Sequence, residues 1–390
     1  MLEQAKLRTA EFQQRLANAN IDIAVITDES SIAYLAGFWG YLSVEFGRPT
    51  FLIVRPDSDP IVITPLMESE MVSAMTWVEN IMTWEDSGPN RWGNILTKAL
   101  ALNSDQSKQQ SIAVEAAALP PIVRNWFDEV LPDNKLINVS PLLGEMRMIK
   151  SAEEIEVMKQ AGSIAGSMMQ AASDSLAEGL PEYEAALAVI NAGTRKAAGF
   201  LTDKGWEAFI SPMIHNLQIM QSGKDTSMVH RRASVKALEL GDPVYFCFCN
   251  MAQFKQYKLG FDRMFFIKEV SDEAAKVQQV AIDAQQAAIA AIRPGVTAES
   301  IAAAANAVYD KQGYETGYRT GRSIGMAYLE TPELKTGDKT ILQAGMTFAV
   351  DGGISVDGEL GGRIGDSVVV TSTGSEYLTN FSREILISDR

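Results

Sequence analysis

Thr347–Gly358, TFAVDGGISVDG, and Gly361–Thr371, GGRIGDSVVVT, lie on either side of a turn signal, Asp357-Gly358. They read as neighbouring strands near the end of the chain. Working back from them, DPVYFCFCN (Asp242–Asn250) and FDRMFFI (Phe261–Ile267) read as further strands, as does EAFISPMI (Glu207–Ile214). Helical signals lie in separate blocks. Two helices are predicted from about Ser151 to about Gly199, the first with Ser151 as N-cap and Glu154 at the capping-box position. An Ala- and Gln-rich helix is predicted over Asp272–Ile292, and another after RPGVT (Arg293–Thr297), opened by a serine or threonine cap. Strands that cluster in sequence, apart from helices that cluster, predict an α+β domain with an antiparallel sheet rather than a doubly wound parallel one.

The N-terminal part alternates instead. An amphipathic helix over the first 20 residues precedes a strand, IDIAVIT (Ile21–Thr27), and a short helix opened by serine, SSIAYLAGF (Ser30–Phe38). TFLIV (Thr50–Val54) and PIVIT (Pro60–Thr64) pair as strands, and SIAVEA (Ser111–Ala116) with PPIVRNWFDEVL (Pro120–Leu131) continues the alternation. This predicts a mixed α/β layer domain over residues 1–150, followed by the second domain over 151–390.

Composition narrows the function. The 390 residues carry 34 basic and 49 acidic side chains, a net charge of −15. Such a chain is a poor general binder of nucleic acid or anionic membranes, either of which needs a basic face. A cationic cluster on it therefore has a local purpose. No run approaches the about 20 apolar residues of a membrane span. The charged N-terminus lacks an apolar signal core, so a cytoplasmic protein is expected. The two cysteines, Cys247 and Cys249, share a strand face, but so short a loop is a poor disulfide candidate, and reduced thiols are expected. CFC also lacks the second ligand pair of a zinc site. Neither a phosphate loop nor a serine nucleophile elbow is present.

Seven segments carry a resemblance: SGKDTSMVHRR, LELGDPVYFCFC, GFDRMFF, RPGVT, TGRSIG, LQAGMTFAVDGG and GGRIGDSVVV. In order and spacing they are similar to the "pita-bread" catalytic domain of the creatinase, prolidase and methionine aminopeptidase family. The N-terminal domain resembles the smaller domain of the creatinase and prolidase branch. The family's metallopeptidases hold metal with two aspartates, a histidine and two glutamates. Against that pattern the first aspartate falls at Cys247 and the second at or near Gly260. The histidine becomes Arg322, the first glutamate Asp351 and the last Gly365. One carboxylate of five ligands remains, and an arginine among divalent ions adds repulsion. The resemblance is therefore to the metal-free, creatinase-like branch, with no metal or other cofactor.

That resemblance implies a hydrolase acting on a C–N bond of a small zwitterionic or carboxylate-bearing metabolite. Its residues are His230 as acid/base and Asp262 and Asp351 to orient it or hold a substrate cation. Histidine supplies proton transfer near neutral pH. Arg322 would grip a carboxylate or stabilise oxyanion charge, unless it only pairs with Asp351 or Asp366 in the vacated metal space. Tyr257 and Cys247 are further lining candidates, while Arg363 and Asp366 look structural. Phe46 and Arg48, in EFGRPTF, resemble a creatinase stretch that enters the neighbouring subunit's site, which implies a homodimer. A lyase, an Xaa-Pro-type peptidase and a non-catalytic binding protein are the alternatives.

Overall fold

The computed structural model describes residues 2–40, 47–102, 110–203, 209–214, 219–249, 251–315 and 319–390. The chain divides into two compact units, Met1–Met146 and Arg147–Arg390.

In the first unit the strands are β1 (Ile23–Ile26), β2 (Phe51–Arg55), β3 (Ser58–Pro65), β4 (Asn80–Trp84), β5 (Ile112–Val114) and β6 (Ile137–Asn138). They form one sheet in the order β4-β3-β2-β1-β5-β6. β1 pairs antiparallel with β2 and parallel with β5, so the sheet is mixed, as the alternating sequence predicts. Ile23, Val25, Phe51 and Ile53 from the sheet pack with Leu96, Val123 and Phe127 from helices. The helix at Glu29–Ala36 is capped by Asp28, which accepts from the Ser31 amide, rather than by a serine.

The second unit contains β7 (Ile219–Ser222), β8 (Pro243–Cys247), β9 (Gln253–Phe254), β10 (Tyr257–Lys258), β11 (Asp262–Ile267), β12 (Gly321–Ser323), β13 (Glu330–Leu334), β14 (Thr347–Val356), β15 (Leu360–Val370), β16 (Ser375–Tyr377) and β17 (Leu386–Ser388). β9 and β10 form a small hairpin. The large sheet runs β13-β12-β14-β15-β11-β8-β7, with β16 against β15 and β17 against β11. Neighbours along that order are antiparallel. This is the α+β architecture of the sequence reading: a curled antiparallel sheet with helices packed on it.

The opening stretch sets its centre. β14 and β15 pair from Thr347↔Val369 to Val356↔Leu360, and Asp357-Gly358 makes the turn with Gly358 at φ 73°. Asp351-Gly352-Gly353 therefore lies mid-strand, not in a turn. Phe348, Val350 and Val368 bury one face against Val280, Ala284 and Ile289 of the helix Asp272–Ala291. The helix Ala152–Ser175 begins with the predicted box, Ser151 Oγ accepting from the Glu154 amide and Glu154 accepting from the Ser151 amide. The predicted strand at Glu207–Ile214 does not form in its described part, residues 209–214. Pro212 has no amide proton to give a ladder, and the strand starts later, at Ile219. Among the described residues no helix is long and apolar enough to cross a membrane.

Candidate active site

A cavity of about 310 Å³ opens in the second unit on the sheet face that bears Asp351 and Gly365. Three central strands shape it. Asp351 on β14 and Asp262 on β11 are both register partners of Gly365 on the intervening β15. A Cβ at Gly365 would sit 2.8 Å from the Asp262 carboxyl carbon and 2.9 Å from Asp351 Oδ1. The missing side chain is what lets the two aspartates approach each other across one strand.

Their electrostatics differ from those of ordinary surface carboxylates. Asp262 is 5% exposed and accepts from the Tyr245 hydroxyl at 3.0 Å. Burial, and next the charge of Asp351, push its carboxyl up to about 7; Arg322, the Tyr245 bond and Arg263 oppose the rise without cancelling it. Burial and then Asp262 push the Tyr245 phenol well above its usual range. Asp262 is thus a carboxyl able to gain or lose a proton near neutral pH.

Arg322 answers from β12, next to β14. Its Nη1 donates to Asp351 Oδ2 at 2.6 Å, and its guanidinium carbon stands 4.1 Å from the centre of the Tyr328 ring. Nη2 lies 3.8 Å from Cys249 Sγ. Gly260 makes room, since a Cβ there would come 3.0 Å from Nη2 and 2.7 Å from the Ala349 methyl group. The turn carrying Tyr328 is held by Glu330, which bonds Arg147 at 2.6 Å and Lys150 at 2.8 Å and accepts from the Ala327 amide. Burial works to raise the Glu330 carboxyl, but Lys150 and Arg147 overcome it and hold it at about 2.

His230 lines the same cavity and is exposed. Its neighbour Arg231 is fixed by the fully buried Glu182, with Nη2 at 2.6 Å and Nη1 at 3.0 Å. Glu182 also accepts from the Ser222 and Ser234 hydroxyls. Burial works against the charge of Glu182, yet Arg231, Ser222 and Ser234 hold its carboxyl below the usual range.

The cavity brings together His230, Cys247, Asp262, Arg322 and Asp351 of the residues singled out in the sequence. Tyr257 does not line it: the side chain is buried elsewhere, its hydroxyl 2.9 Å from Glu154 Oε1. Arg48 belongs to the first unit, where it pairs with Asp86 at 2.5 Å, and Phe46 lies outside the described residues. The reading of the cysteines as reduced thiols needs correction. Cys247 and Cys249 are joined in a disulfide. The strand ends at Cys247, and the turn that follows shortens the Cα separation to 5.5 Å, inside the range a disulfide spans. Arg363 also lines the cavity, whereas Asp366 faces away and pairs with Arg263 at 3.0 Å. Tyr245, Cys249, Arg319 and Tyr328 were missed as cavity residues. Two-residue periodicity could have found Tyr245, two before Cys247 on β8, and Arg363, two before Gly365 on β15.

The sequence pattern of metallopeptidase family M24 matches residues 156–372, and that of the creatinase/prolidase N-terminal domain matches residues 8–149. The chain belongs to the M24 family, in its creatinase and prolidase branch. It is 30% identical to agropine synthesis cyclase of Rhizobium rhizogenes over 95% of this chain and 94% of that protein. It is 26% identical to creatinase of a Bacillus species over 97% of this chain and 91% of that one. The structure of a prolidase from Thermococcus sibiricus superposes with a TM-score of 0.83 at 24% identity, covering 98% of each chain, and bears on the fold.

Proposed function

We propose that this chain is a creatinase-like hydrolase that cleaves a C–N bond of a small zwitterionic metabolite without a metal ion. The observation that carries the reading is the Arg322–Asp351 pair, 2.6 Å apart inside the cavity. The family's metal chemistry would need several carboxylates around two cations. The donors at hand do not fit that demand. Arg322 pairs with Asp351, the two cysteines are tied to each other, and burial, then the charge of Asp351, raises the Asp262 carboxyl.

In this reading His230 moves the proton between water and the departing nitrogen, at the cavity rim where solvent reaches it. Asp262 and Asp351 hold the substrate's cationic nitrogen, and Asp262 stores or releases a proton as that nitrogen changes charge. Arg322 holds the anionic end through Nη2, with Arg363 and Arg319 of the cavity lining adding positive charge. Arg48 completes the anion site from a neighbouring subunit, which makes the working form a homodimer. The kinship with a cyclase supports a second reading: a hydroxyl or amine of the substrate replaces water, and the same groups close a ring.

Metal content and activity measured together test the proposal. Protein purified without added metal should turn over a small amidine, lactam or guanidino acid, release a nitrogen product and ignore chelators. Near-stoichiometric manganese, iron, cobalt or zinc, with activity lost on chelation and restored by the metal, overturns it.

A further inference from the structure

The cavity holds a group that the proposed hydrolysis does not use, the Cys247–Cys249 disulfide. We infer that this pair is a redox-active site that exchanges with low-molecular-weight thiols, set beside Arg322 so that reduction leaves a stabilised thiolate in the cavity wall.

Three observations carry this. First, the bond spans a sequence separation of 2, and so small a loop removes little freedom from the unfolded chain. A staple would be poorly spent there. Second, the two sulfurs differ in access. Cys247 is 1% exposed, at the end of β8, whereas Cys249 is partly exposed in the turn beyond it, and both line the cavity. Third, Arg322 Nη2 stands 3.8 Å from Cys249 Sγ. A fixed cation at that distance favours a thiolate once the bond opens, and stabilising the reduced form makes a disulfide easier to reduce. Asp262 Oδ1, 4.0 Å from the same sulfur, opposes this only while ionised.

The exchange balances as follows. An external thiolate attacks the accessible Cys249 sulfur, the disulfide bond breaks, and Cys247 leaves as a thiolate that takes up a proton. A second external thiolate attacks the sulfur of the first. Cys249 leaves as a thiolate next to Arg322, and the external thiols depart as their own disulfide. Two electrons pass from thiol to protein. The cavity wall changes from a neutral disulfide to a dithiol whose exposed member competes with Asp351 for the guanidinium.

The inference does not rest on the proposed hydrolysis, and its test needs no substrate. Free thiols are counted in denatured protein prepared without reductant, where none is expected, and after a dithiol reductant, where both cysteines should react. Native protein is then equilibrated in glutathione buffers and the reduced fraction trapped by alkylation. Arg322→Met should make the pair harder to reduce, by about tenfold in the exchange constant. Asp351→Asn keeps the guanidinium but removes its competing carboxylate, and should make the pair easier to reduce. Loosened packing would ease reduction in both variants, so the opposed directions separate the charge effect from a damaged fold. Both cysteines free in protein never exposed to reductant, or any pattern in the variants other than opposed shifts, overturns the inference.

Discussion

Two aspartates on adjacent strands, Asp366 on β15 and Asp351 on β14, have opposite fates. Asp366 is fully buried and saturated: it accepts from Arg263 at 3.0 Å, Arg383 at 3.0 Å, Gln285 at 3.0 Å and Thr379 at 2.9 Å. Asp351 is partly exposed to the cavity and has Arg322 as its ion-pair partner, while Asp262 on the far side of Gly365 has the Tyr245 hydroxyl and a carboxyl pushed up to about 7. Side chains alternate along a strand, so Gly365 and Asp366 face opposite sides of one sheet. On one side charge is compensated and fixes structure. On the other, burial and next the charge of Asp351 leave the Asp262 carboxyl able to take up or give a proton where a ligand can enter.

The largest effect should come from breaking the saturated side. Asp366→Ala strands the buried Arg263 and the half-buried Arg383, and losing one partner of such a cluster costs about 3–5 kcal/mol. Chemical denaturation of the variant against the parent measures it; a loss no larger than that of a surface substitution would mean that the cluster is not holding the sheet. On the cavity side stability should barely move while chemistry does. His230→Asn should lower kcat by about 10²–10⁴ with an unchanged fold. A variant that turns over at the parental rate removes His230 from the proposed mechanism. A smaller effect is expected at Arg322: replacement by alanine should weaken binding of a carboxylate-bearing ligand by about 1.5–3 kcal/mol, the range of a charge-assisted hydrogen bond. Lysine should recover only part, for want of the planar fork. Calorimetry that finds equal affinity in all three proteins would make Arg322 a space-filling ion pair like the one at Asp366.

The difference between the two sides also marks what the sequence could disclose. The hairpin of β14 and β15 was legible because a turn signal separates two apolar stretches, and the helix at Ala152 because Ser151 and Glu154 form a local box. His230, Asp262, Arg322 and Asp351 were legible by resemblance, each falling at a family position. The elevated carboxyl of Asp262 was not. It depends on burial that no local pattern encodes, and next on Asp351, 89 residues away in sequence, approaching across a glycine. The cysteine pair was misread for a similar reason. Spacing alone suggests an extended strand, while the chain turns immediately after Cys247. Tyr257 was a lining candidate, but it sits on the β9–β10 hairpin with its hydroxyl against Glu154.

The protonation of Asp262 is the most direct test of this difference between the two faces of the sheet. Difference infrared spectra of the parent and of Asp262→Asn, recorded against pH, isolate the carboxyl band of this one residue. Its folded-state pKa is raised above the ordinary 3.8, so the group should stay protonated through the mildly acidic range and lose its proton only as pH rises through about 7. The protonated band should therefore be present at pH 5.5 and gone by about pH 8.5. A band already absent at pH 5.5 would mean that Asp262 is an ordinary ionised carboxylate balanced by cations, and would contradict the account.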